Sequence, residues 1–126
     1  MGLFQVLIHN AAAAIASFKL TVDGLENQMA TDHFGPFLLT KLLLPKLLAA
    51  GTSSFVPRVV FVSALGHAFG PGVDFTTLAN PDPSKEGFDV SFQAKSANIL
   101  SAIELSKRAR GKIHAYSLHP GGMLSS

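Results

Sequence analysis

Apolar residues along the chain fall into three short runs and two long stripes. The run Gln5 to His9 predicts a buried strand. The small residues Asn10 to Ala14 then suit a close-packed turn. Thr21 to Glu26 reads as a helix start, with Thr21 or Asp23 as cap and Glu26 in the first turn. From Leu25 to Ala49 the spacing is helical, with Leu25, Met29, Phe34, Leu38, Leu42 and Leu43 on one broad face. Gly51 to Pro57 ends that helix. Arg58 to Val62 is a continuous β-branched and aromatic run, the signature of a strand covered on both faces. Ser63 to Asp89 carries Gly66, Gly70, Pro71, Gly72, Pro81, Pro83 and Gly87 and predicts a long loop with little regular structure. Ser91 to Arg108 is helical again through Ile99, Leu100, Ile103 and Leu105. Lys107, Arg108 and Arg110 favour its C-terminal dipole, and Gly111 caps it. Ile113 to Leu118 predicts a third strand, broken by His119 to Gly122. The order β-α-β-α-β implies right-handed crossovers and a parallel sheet.

One detail inside the first helix bears on chemistry. Pro36 follows Asp32 by four residues. Proline has no N–H, so the Asp32 carbonyl loses its helical partner and the helix bends there. Pro45 frees the Lys41 carbonyl in the same way.

Composition narrows the picture further. With 126 residues the chain is expected to form one domain over 1–126. Charged residues make up only 14%, so much of its surface is neutral or buried against something. The net charge of +2 is small and evenly spread, which argues against a nucleic-acid partner. There is no cysteine, hence no disulfide and no thiolate metal site. His9, His33, His67, His114 and His119 show no metal-like spacing, and no metal is expected. The most apolar stretch, Phe37 to Ala50, is too short to span a bilayer and carries Lys41, Pro45 and Lys46, so no membrane span is expected. The first cation is Lys19, which does not suit a secretory signal. Gly2 would suit myristoylation, but Val6 stands where Ser or Thr is wanted. A cytoplasmic location is the expectation.

Five segments, in order, resemble the short-chain dehydrogenase/reductase family. Val6-Leu-Ile-His-Asn-Ala-Ala12 resembles its strand ending in Asn-Asn-Ala-Gly. Met29 to Phe37 resembles its helix segment Thr-Asn-His-Leu-Gly-His-Phe. Arg58 to His67 resembles its strand ending in Val-Ser-Ser. Ser91-Phe-Gln-Ala-Lys-Ser-Ala-Asn-Ile-Leu100 resembles its Tyr-x-x-x-Lys motif. Ser117 to Gly121 resembles the Pro-Gly turn beside the nicotinamide. The likeness is greatest to the branch of retinol dehydrogenases and WW-domain oxidoreductases. It implies an α/β fold, a partial Rossmann-like parallel sheet with flanking helices. The chain would begin near the family's fourth strand and end just after its sixth.

The resemblance also implies a chemistry: hydride transfer between NAD or NADP and a small alcohol or carbonyl. In the family a Tyr protonates the carbonyl oxygen and a Lys one helical turn on lowers the phenol pKa. A Ser stabilises the oxyanion and an Asn completes a water relay, whose water the same residue's carbonyl holds. The matching positions here are Ser91 for the Tyr, Lys95 for the Lys, Ala64 for the Ser and Asp32 for the Asn. Three of the four are replaced. A Ser hydroxyl has no ionised state near neutral pH and is much shorter than a phenol. Loss of a general acid costs roughly 10²- to 10⁴-fold, and loss of an oxyanion donor a similar factor. Ser63 does not substitute for Ala64, because adjacent strand residues face opposite ways. Cofactor contacts would fall to Asn10, Ala11, Lys95, Pro120 and Gly121. The family's Gly-rich phosphate turn has no counterpart in the sequence. The two long helices match faces that pair between subunits in many family members, so a homo-oligomer is a further expectation. A non-enzymatic interaction module and a gene-model fragment are the alternatives.

Simpler roles stand beside these. Asp32 in an apolar helix is either solvent-facing or paired, with Lys95 as one partner, because a lone buried carboxylate is costly. His9 reads as a strand-end histidine and Asn10 as an anchor of backbone across strands. Tyr116 reads as core, and Leu42 to Leu48 as core or a subunit face.

Overall fold

A computed structural model describes residues 4–13 and 17–121. Gly2, Ala14 and Gly122, each given a role above, lie outside them. Strand β1 (Val6–His9) is followed by a helical stretch in three parts: α1 (Asn27–Met29), a π-helical turn (Ala30–Phe34) and α2 (Gly35–Ala49). Strand β2 (Arg58–Val62), a short 3-10 turn (Leu65–Ala68), α3 (Phe75–Ala79), α4 (Phe88–Ala109) and β3 (His114–Leu118) complete the order. The sheet is parallel, in the order β1-β2-β3.

Leu7 pairs with Val59 and Val59 with Ala115. Alternation along each strand then puts Leu7, His9, Val59, Phe61 and Ala115 on one face. Against them pack Leu43, Leu44, Leu47, Ala102 and Leu105, from α2 and α4. A second cluster, Met29, Val90, Ala94 and Ala97, joins α1 to the first half of α4. The opposite face carries Val6, Ile8, Tyr116 and Leu118, each more than 40% exposed.

The expected α/β order is present, with four local differences. The cap of the first helix is Glu26, whose carboxylate accepts the Met29 N–H at 2.8 Å, rather than Thr21 or Asp23. Thr21 instead closes its own turn by accepting the Leu25 N–H. The expected loop Ser63 to Asp89 contains the 3-10 turn and α3, which Asp74 caps through the Thr76 N–H. Helix α4 begins at Phe88, three residues earlier than expected. Tyr116 is not core: it is 48% exposed, because no described element covers its face of the sheet.

Candidate functional site

Parallel strands bring their carboxyl ends to one edge, which is where α/β folds present chemistry. Here that edge gathers Asn10 after β1, Ser63 and Ala64 after β2, and Pro120 and Gly121 after β3. The Ser63 N–H donates to the Leu118 carbonyl at 2.8 Å, extending the ladder by one residue. Its hydroxyl donates to the Lys95 carbonyl at 2.9 Å and pins α4 over the strand end. Ser63 is therefore a structural anchor. Ala64 is extended and offers only a methyl group where an oxyanion donor would stand. Its carbonyl accepts Nδ1–H of His67 at 2.7 Å.

Ser91 and Lys95 lie one turn apart near the start of α4, and both are partly buried. The neighbouring Phe92 ring fills the space beside Gly66 so closely that a Cβ there would collide with it. The Lys95 ammonium lies 3.4 Å from Asp32 Oδ2, with the two side chains 12% and 1% exposed. Asp32 Oδ1 accepts the Ala13 N–H at 2.6 Å. Asp32 is thus paired and inward-facing, and Lys95 is its partner.

The Asp32 main chain adds a second link. The carbonyl freed by Pro36 accepts Nδ2–H of Asn98 at 3.0 Å. Asn98 Oδ1 accepts Nδ1–H of His33 at 2.9 Å. The helix absorbs Pro36 as a π-helical turn, in which the Gly35 N–H reaches back to the Ala30 carbonyl. Burial holds His33 below the ordinary histidine pKa, with the Asn98 bond acting against it. Nothing in the sequence alone assigns Asn98 to this carbonyl. The available signal was its spacing, three residues after Lys95 and on the same helix face.

His9 occupies a separate polar position on the covered sheet face. Thr40 donates its hydroxyl proton to the Pro36 carbonyl at 2.8 Å, so the 2.7 Å contact to His9 Nε2 has the imidazole as donor. The ring stacks on Phe61 at 4.8 Å, and burial lowers its pKa. This makes His9 a strand-end histidine that ties β1 to α2. Asn10 and Ala11 are exposed, as are Pro120 and Gly121. Among the described residues the Asn10 side chain makes no hydrogen bond, so the expected anchoring of backbone across strands is not seen.

Between α2 and α4 runs an apolar groove of about 590 Å³, bordered by His33, Phe37, Lys41, Leu100, Glu104 and Arg108. Among the described residues, no group of three or more His, Cys, Asp or Glu is placed to hold a metal. No helix among them is long and apolar enough to cross a membrane.

At the strand ends Lys95 is paired with the buried Asp32 carboxylate, and a Cβ on Gly121 would meet nothing within 4 Å among the described residues.

No family model matches the chain. Individual proteins do. The chain is 36% identical over 123 residues to "Short-chain dehydrogenase TIC 32 A, chloroplastic" of Brassica napus, covering 93% of this chain and 38% of that protein. It is 38% identical over 118 residues to retinol dehydrogenase 11 of Mus musculus, covering 93% and 35%. A solved structure from Mycobacterium paratuberculosis superposes with a TM-score of 0.79 at 34% identity, covering 96% of this chain and 43% of that one. The chain spans little more than a third of the length of these curated relatives.

Proposed function

The chain belongs to the short-chain dehydrogenase/reductase family, and on that premise we propose that it is an oxidoreductase homologue of the NAD(P)-dependent, alcohol- and carbonyl-converting type whose chemistry is strongly impaired in this chain. One observation carries the reading. Lys95 stands at the carboxyl edge of the sheet, with Ser91 one turn before it and Ala64 at the end of β2. The lysine of the motif is in place, and the groups that would give up a proton and hold an oxyanion are not. Substrates by this reading are small alcohols or carbonyls, and the nucleotide is NAD or NADP. When bound, that nucleotide supplies the hydride. Asn10, Ala11, Pro120 and Gly121 are the positions that family likeness assigns to it, and Lys95 is withheld from it by Asp32.

Calorimetric titration with NADH and with NADPH tests the reading. No saturable binding is expected below about millimolar concentration. Micromolar affinity, or carbonyl-dependent oxidation of either nucleotide at family-like rates, would overturn it.

A second reading, an interaction module, draws on the outer faces of α2 and α4. Phe37 and Leu100 are exposed where they border the groove, and Leu42 and Ile103 are exposed elsewhere on the same helices. Contiguous apolar surface of this kind marks contact sites. The proposed partner is a second copy of the chain. Sedimentation at rising concentration tests this: self-association that Leu42→Lys abolishes supports the module, and a monomer at every concentration refutes it.

A further inference from the structure

We propose that Asp32 is a positioning residue that takes up the charge of Lys95, so that the lysine serves as half of a buried ion pair and exerts no net positive field on position 91. The proposal deepens the reading of an impaired oxidoreductase site and rests on it for its functional meaning.

The geometry is specific. Asp32 is 2% exposed, and both carboxylate oxygens have partners: Oδ1 the Ala13 N–H at 2.6 Å, Oδ2 the Lys95 ammonium at 3.4 Å. The backbone on each side of the pair is held independently. Asn98 fixes the Asp32 carbonyl, and Ser63 fixes the Lys95 carbonyl. Neither side chain therefore depends on the pair alone for its position. The lysine side chain is 12% exposed, so water screens the pair weakly.

A group at position 91 sits one turn from Lys95. A lone ammonium there would stabilise a nearby anion. With a carboxylate beside the ammonium the two fields largely cancel, and a nearby group meets a small dipole in place of a full charge. The titratable side chains nearby on elements packed around this point include His33 and His67, together with the carboxylates Glu26 at the cap of α1 and Asp89 in the first turn of α4. Burial favours the neutral form of His33, and His67 is exposed and bonded to the Ala64 carbonyl. Neither restores the missing positive field. The consequence for the site is definite: Ser91→Tyr would supply a phenol without supplying the cation that activates it.

The experiment titrates that phenol. Ser91→Tyr is made in a Tyr116→Phe background, which leaves one reporting phenol, since the chain has a single tyrosine. Ultraviolet absorbance gives the titration midpoint, and circular dichroism checks the fold. With Asp32 present, the midpoint is expected within about half a pH unit of free tyrosine, near 10. Adding Asp32→Asn is expected to lower it by about one pH unit or more. Adding Lys95→Met instead leaves Asp32 uncompensated and is expected to raise it. A midpoint more than about one pH unit below free tyrosine with Asp32 in place overturns the proposal, as does a midpoint unmoved by Asp32→Asn. If Asp32→Asn does not fold, Lys95→Met decides, and an unchanged midpoint overturns the proposal. No nucleotide and no turnover enter this measurement. Tight nucleotide binding would sink the impaired-enzyme reading and leave the ion-pair result standing, and the reverse also holds.

Discussion

The two faces of the sheet are made by the same three strands and by similar residues, yet they live in different solvents. On one face Leu7, Val59 and Phe61 are at most 8% exposed under α2 and α4. On the other, Ile8 is 59% exposed and Tyr116 48%. Residue type does not distinguish them, since both sets are apolar or aromatic and suit strands. What differs is the neighbour. The covered face also carries the polar links His9 to Thr40 and Ser63 to the Lys95 carbonyl, which fix where the helices sit. Among the described residues, positional precision at the strand ends therefore comes from the covered side of the sheet.

Four measurements break or sharpen that contrast. The largest effect belongs to Phe61→Ala, which empties the middle of the covered face and is expected to cost about 3–5 kcal/mol in urea unfolding. A loss under about 1 kcal/mol would mean that this face is loosely packed. Next comes Asn98→Ala, which strips the Asp32 carbonyl of its donor and leaves His33 Nδ1 without its acceptor. The expected cost is about 1–3 kcal/mol, read in the same way.

The third concerns pH. Burial lowers the pKa of His9, so the folded chain prefers the neutral imidazole. The unfolded chain then binds the proton more readily. The stability contribution is full above the unfolded pKa, about 6.5, and is lost as the pH falls below it. His33 is shifted the same way and adds to the trend. Unfolding midpoints should fall between about pH 7.5 and about pH 5.5, and His9→Gln should flatten part of that slope. A slope of opposite sign would contradict the buried neutral assignment.

The smallest effect on stability is expected on the bare face. Ile8→Thr with Tyr116→Thr should change unfolding free energy by about 0.5 kcal/mol or less. Light scattering should nonetheless drop, because an uncovered apolar sheet face promotes association. Unchanged scattering would place the sticky surface elsewhere, with the outer faces of α2 and α4 next in line.

These cases show which features the sequence carried. Each strand was legible as an apolar run with its breaker, and the first helix ends at Ala49 ahead of Gly51 as expected, whereas the second ends at Ala109 with Arg110, left-handed at φ 47°, as its cap in place of Gly111. Pro36 signalled a freed carbonyl at Asp32, and the carbonyl is indeed off the helical ladder, bound by Asn98. That partner was not legible, because it comes from 66 residues away and a one-dimensional pattern carries no long-range register. Tyr116 failed for a related reason. A strand pattern states that a face is apolar, not that something covers it. The cap is Glu26 because the helix begins at Asn27, and Thr21 lies in a turn of its own upstream, where its hydroxyl oxygen accepts the Leu25 N–H. The ion pair of Asp32 with Lys95 was one of several open partnerships in the sequence, and only the approach of α4 to the π-helical turn selects it.

That turn also sets an angle. An α-helix advances about 100° per residue, and a π-turn accommodates one residue more than an α-turn does. Everything from Gly35 onward is therefore rotated by about that amount relative to an uninterrupted helix. The rotation decides that Phe37, Lys41 and Leu44 face the groove. Deleting one residue there, such as Thr31, would turn a different set of side chains toward α4 while leaving every later residue chemically unchanged. Two homologues that differ by this single insertion would share the helix letter for letter and still present different surfaces to the same neighbour.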